Sequence, residues 1–116
     1  MHRILIVLAL GAFSLAANAE RADLKLIGSQ GTNYFFTLSE PWILDSTYVE
    51  RVGRNFCNTV GPLCAAHFWK TGTPAARSLP MTDAQIAAEM ATFQGDRMLW
   101  RCGAYKIANP RNCFSN

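Results

Sequence analysis

The chain has 116 residues, a formal net charge of +3, and is 50% apolar and 16% charged. That apolar share suits a single packed domain and excludes a disordered tail or a collagen-like rod as the main description. The small positive charge argues against nucleic acid as a partner, because nothing in the composition supplies a dominant basic field.

Met1-His2-Arg3 carries one fixed positive charge, and an apolar run follows from Ile4 to Ala17. Ala17-Asn18-Ala19 then gives the small-x-small pattern of a signal peptidase site, and Glu20-Arg21 opens a polar stretch. The expectation is a signal peptide over 1–19, cut after Ala19, and a single exported domain over 20–116. A spanning helix needs about 20 apolar residues, more than this run provides, so no membrane span is expected after cleavage. With its single arginine the short leader looks bacterial, and places the product in the periplasm or outside the cell.

From Ala22 to Ser39 the apolar residues alternate, with Leu24 and Leu26 on one face and Tyr34, Phe36 and Leu38 on another. Ser29-Gln30-Gly31-Thr32 separates the two runs, which predicts a β-hairpin. Glu40-Pro41 interrupts the second strand, and Trp42-Ile43-Leu44 reads as a buried connection. Thr47 and Glu50 are spaced as a capping box, and Val49, Val52, Phe56 and Val60 follow on one helical face. Gly61-Pro62 ends that helix. Gly53 inside it weakens the helix by about 1 kcal/mol relative to alanine.

Cys64 to Lys70 is predicted as a strand and Thr71 to Pro80 as an irregular loop. Thr82 and Gln85 form a second capping box, and Asp83 complements the helix dipole. Ile86, Met90 and Phe93 then read as the apolar stripe of a helix that runs to Gly95. Arg97 to Tyr105 alternates again and is predicted as a strand, and 106–116 as a loop. The order β-β-α-β-α-β gives an α+β fold, with a small, mainly antiparallel sheet packed against two helices.

Export changes how Cys57, Cys64, Cys102 and Cys113 are read. In an oxidising compartment four thiols are expected as two disulfides. Three pairings are possible. The local one, Cys57 with Cys64 and Cys102 with Cys113, is favoured by the turn residues between the partners. Closing loops this short removes about 2.5–3 kcal/mol of denatured-state freedom per bridge. The alternative is zinc, since Cys57-x6-Cys64-x2-His67 gathers three ligand types and Cys102 offers a fourth, but tight knuckle spacing is missing. No metal and no cofactor is expected.

His67 is the sole histidine of 20–116 and the natural candidate for a general base. It has no nucleophile elbow, zinc-helix motif or phosphate-cradling glycine loop to work with. Among the carboxylates, Asp83 is explained as a helix-start residue and Glu89 as part of a solvated helix face. An enzyme is therefore the less favoured reading, with a small periplasmic hydrolase using His67 as its concrete form.

The aromatic residues and arginines point instead to an interface, because such side chains anchor protein contacts. Trp69, Arg97, Leu99 and Arg101 are the candidate partner surface. The leading expectation is an exported, disulfide-stabilised binding or accessory module of the bacterial envelope, such as an inhibitor or complex component. Its partner would be another exported or envelope protein. A purely structural exported domain is the third possibility.

Overall fold

The computed structural model describes residues 23–105 and Cys113. The expected signal peptide over 1–19 and most of the loop over 106–116 lie outside the described residues. Within them the fold is α+β, and two helices accompany a five-stranded mixed sheet of order β1-β2-β3-β4-β5. No helix of the described residues is long and apolar enough to cross a membrane.

Strands β1 (Lys25–Gln30) and β2 (Asn33–Leu38) form the expected hairpin, with Gln30 opposite Asn33. A two-residue turn this tight needs a backbone with positive φ, which Gly31 supplies at 61°. A bulge between Leu26 and Gly28 shifts the register of β1. It seats Gly28 under the backbone of Arg77, where a Cβ would come within 2.3 Å of the Arg77 carbonyl oxygen.

After β2 comes a short 3-10 turn, Trp42–Leu44, which buries Ile43. Helix α1 (Ser46–Val60) follows. Its cap is Asp45, whose carboxylate accepts from the Tyr48 backbone N–H at 3.1 Å, and not the expected Thr47. An aspartate fits because its charge also complements the positive end of the helix dipole. The helix carries the chain back to β3 (Ala65–Lys70), so that β2 and β3 run parallel while the other three pairings are antiparallel.

α1 lies on the face made by Phe36, Leu38, Ala66, Phe68, Ala91 and Phe93, with Val49 and Cys57 buried in that core. The close approach explains Gly53. A Cβ there would sit 2.7 Å from the Phe93 Cβ, an atom next to the sheet backbone that cannot swing aside. Gly53→Ala should therefore lower stability by about 1–2 kcal/mol, because overpacking exceeds the gain in helix propensity. Chemical denaturation checks the sign, which propensity alone would reverse.

The second helix is where the sequence expectation and the structure differ most. α2 spans only Asp83–Ala88, with the Thr82–Gln85 capping box formed in both directions. The chain then extends, and β4 (Ala91–Gln94) and β5 (Arg97–Trp100) form a hairpin. Met90 shows why: its N–H donates to the Phe68 carbonyl at 2.8 Å, and its own carbonyl accepts from Arg101 and Cys102. These bonds from β3 and from the segment that follows β5 replace the helical ladder beyond Ala88. Met90 and Phe93 are buried as expected, but from an extended backbone, and Ile86 is left half-exposed.

Both cysteine pairs are bridged locally, Cys57 to Cys64 and Cys102 to Cys113, with Cα separations of 5.4 and 6.1 Å. The first staples the end of α1 to the start of β3. The second ties Cys113 to the segment after β5. Replacing Cys57 and Cys64 together by alanine should lower the unfolding free energy by about 2–3 kcal/mol, read from the denaturant midpoint.

Candidate functional site: the sheet face away from the long helix

Alternation along the strands places Asn33, Phe35, Ala65, His67, Trp69, Thr92, Gln94, Arg97 and Leu99 on the face opposite α1. The two halves of this face differ. One carries Phe35 and Trp69, both fully buried beneath Ala76 and Ala88, with Ile27, Ala75, Leu79 and Met81 packed around them. The loop between β3 and α2, followed by α2 itself, forms that cover.

Trp69 therefore leaves the candidate partner surface. It is 0% exposed, and its indole N–H donates to the Gln85 carbonyl at 2.9 Å. A large ring with one polar tip anchors an interface when it is exposed; here both parts are already satisfied inside the fold.

Beside it lies a polar cluster drawn from β2, β3, β4 and the residues that follow α2 and β5. His67 on β3 is 8% exposed and nearly parallel to the Phe35 ring at 5.3 Å. Its Nδ1 faces Glu89 Oε2 at 2.8 Å, and its Nε2 faces Asn33 Oδ1 at 3.0 Å. The Thr92 hydroxyl donates to the same Glu89 oxygen, and Arg101 Nε lies 3.3 Å from Oε1. Glu89 is 3% exposed. A buried carboxylate is costly unless donors surround it, and these three side chains supply them.

Glu89 on a solvated helix face is thus corrected. α2 stops at Ala88, so Glu89 is the residue at which the chain turns extended, and its side chain points under the sheet. Sequence reasoning also missed Asn33 and Thr92. Gly95-Asp96 between Ala91–Gln94 and Arg97–Trp100 was the available signal, because a two-residue Gly-Asp link between alternating runs marks a hairpin. That hairpin sets Thr92 opposite His67.

For His67 to act as a general base, one of its two ring contacts, with Glu89 or with Asn33, would have to open. Such a base needs a ring nitrogen directed at a substrate proton, whereas both nitrogens of His67 are engaged within the protein. The one hydroxyl in the cluster donates to Glu89 and does not meet the ring. A cavity of about 320 Å³ lies elsewhere, between the end of α1 and the β4–β5 turn, lined by Cys57, Gly61, Pro62, Phe93 and Asp96 among others. The sulfurs of the Cys57-x6-Cys64-x2-His67 spacing are consumed in a disulfide, and the imidazole turns to Glu89. No group of three metal-ligating side chains is gathered among the described residues.

Arg97, Leu99 and Arg101 remain at the uncovered side of the face. All three are exposed, Leu99 by 39%; Arg97 and Leu99 lie on the edge strand β5, and Arg101 directly follows its last residue, Trp100. Arg101 contacts Glu89 through Nε and keeps about half of its side chain in solvent. Comparison with protein-family models, curated proteins and solved structures finds no match to this chain.

Proposed function

We propose that this protein is an exported, disulfide-stabilised binding or accessory module of the bacterial envelope. It holds a protein partner at the β5 side of the sheet through Arg97, Leu99 and Arg101. The observation that carries this is the uneven cover of one sheet face. Loop and helix close over Phe35 and Trp69, whereas an apolar side chain flanked by two arginines stays exposed at the edge. Arginine around an apolar contact is a common composition at protein interfaces. Two local disulfides suit an oxidising compartment, as the leader-like residues 1–19 also imply.

The test is affinity capture from the native envelope, using the protein as bait and identifying what is retained by mass spectrometry. Arg97→Glu combined with Leu99→Lys should reduce the specific partner at least tenfold while circular dichroism stays unchanged. Leu63→Lys, at an exposed residue beside the first disulfide, should leave capture intact. Equal capture by all three proteins would rule out this surface.

A further inference from the structure

β5 is an edge strand, and no strand of the described residues lies beyond it. Gln94 and Arg97 flank the two-residue turn and Thr92 faces Leu99, so hydrogen-bonded pairs fall at Arg97 and Leu99. The Arg101 N–H, which donates to the Met90 carbonyl, continues the same phase. The N–H and C=O of Met98, between these pairs, are thereby turned away from β4. Outward backbone groups on an edge are the template for adding a strand from another chain.

The side chains restrict which strand fits. Arg97, Leu99 and Arg101 stand on one face at steps of about 6.8 Å, while Met98 lies on the α1 side, packed against the main core. Arg97 has no acidic partner among the described residues, and Arg101 shares its only one, the buried Glu89. Directly opposed positions on neighbouring strands bring side chains to about 5 Å, where opposite charges attract and like charges repel.

We infer that β5 accepts an extended, acidic segment of the partner protein by strand addition, with the pattern acid-x-apolar-x-acid. The two acids face Arg97 and Arg101, and the apolar residue covers Leu99. The pattern reads the same in either chain direction, so it fits parallel or antiparallel addition. A second copy of this chain is the poorer occupant. Neither edge strand carries an acid: β5 reads Arg-Met-Leu-Trp and β1 reads Lys-Leu-Ile-Gly-Ser-Gln. Two β5 strands paired about Leu99 would set Arg97 against Arg101. The same charges that oppose self-pairing favour an acidic strand.

This inference rests on the proposed binding role and names the partner's chemistry. Its test is an NMR titration of the disulfide-bonded protein with the capped peptide Thr-Glu-Thr-Val-Thr-Glu-Thr. Binding should shift the Met98 and Leu99 amides and weaken at least tenfold under each of three changes: lysine for both glutamates, N-methylation of alternate peptide amides, and Arg97→Glu in the protein. No saturable shift in β5 overturns the inference, as does binding that survives N-methylation, because attraction without strand pairing would then suffice. If the peptide fails while envelope capture still depends on Arg97 and Leu99, only strand addition falls. If both fail, the binding role falls with it.

Discussion

Trp69→Ala is expected to destabilise the domain by about 3–5 kcal/mol, the usual cost of emptying a buried aromatic site. Trp69 is fully enclosed, packs against Phe35 at 6.1 Å between ring centres, and bonds to the Gln85 carbonyl that belongs to its cover. Removing it leaves Phe35, Ala76 and Ala88 around a void and releases the loop and α2 that close over them. A domain of this size has a total stability of about 5–15 kcal/mol, so the loss takes a large share. At about 4–8 °C per kcal/mol, the melting temperature should drop by more than about 12 °C. Trp69→Phe keeps most of the volume and loses the indole hydrogen bond, so it should cost about 1–2 kcal/mol. A Tm for Trp69→Ala within a few degrees of the parent would show that the cover does not hold this half of the face. Any loss of partner capture by Trp69→Ala reports lost structure and not a lost contact.

Glu89→Ala is the second large effect, expected at about 3 kcal/mol or more, because it strips the shared acceptor from His67, Thr92 and Arg101. Arg101 can turn to solvent, since about half of its side chain is exposed; His67 and Thr92, both nearly enclosed, cannot. Glu89→Gln preserves the shape and one acceptor oxygen, and should cost less, about 1–2 kcal/mol. The network also predicts non-additivity. Once Glu89 is alanine, Thr92→Val should cost little more, whereas in the parent it removes a donor from a buried carboxylate. Additive losses in that double-mutant cycle, measured by denaturant unfolding, would show that the four side chains do not act as a unit. A hydrolase built on His67 would need one of these bonds broken to free a ring nitrogen.

Much of the fold was legible because local chemistry and tertiary packing agree there. The β1–β2 hairpin, the α1 face of Val49 and Phe56, the β3 strand and the Thr82–Gln85 capping box all have short-range causes. The parallel pairing of β2 with β3 was not legible in the order of elements, which leaves strand register open. Residues 89–94 were misread for a physical reason. Ile86, Met90 and Phe93 fit helical spacing, and only the backbone bonds that Met90 makes with β3 and with the segment that follows β5 decide for an extended chain. That misreading hid the candidate site, since Glu89 belongs under the sheet only if the helix has ended.

The placement of Arg97 and Leu99 on β5, and of Arg101 just beyond it, on one exposed face survived this error, because their alternation holds whatever precedes them. Trp69 did not, because alternation assigns it a face but cannot tell whether a loop covers that face. Cysteine pairing was legible in its local form: turn residues between the partners bring each pair within reach.

Intact mass analysis of the protein recovered from the periplasmic fraction, after alkylation without reductant, tests the account most directly. It predicts a chain that begins at Glu20, takes up no alkylating reagent, and accepts four labels once reduced. Recovery from the cytoplasm with Met1 in place and four reactive thiols would contradict the compartment, the two bridges and the envelope partner together.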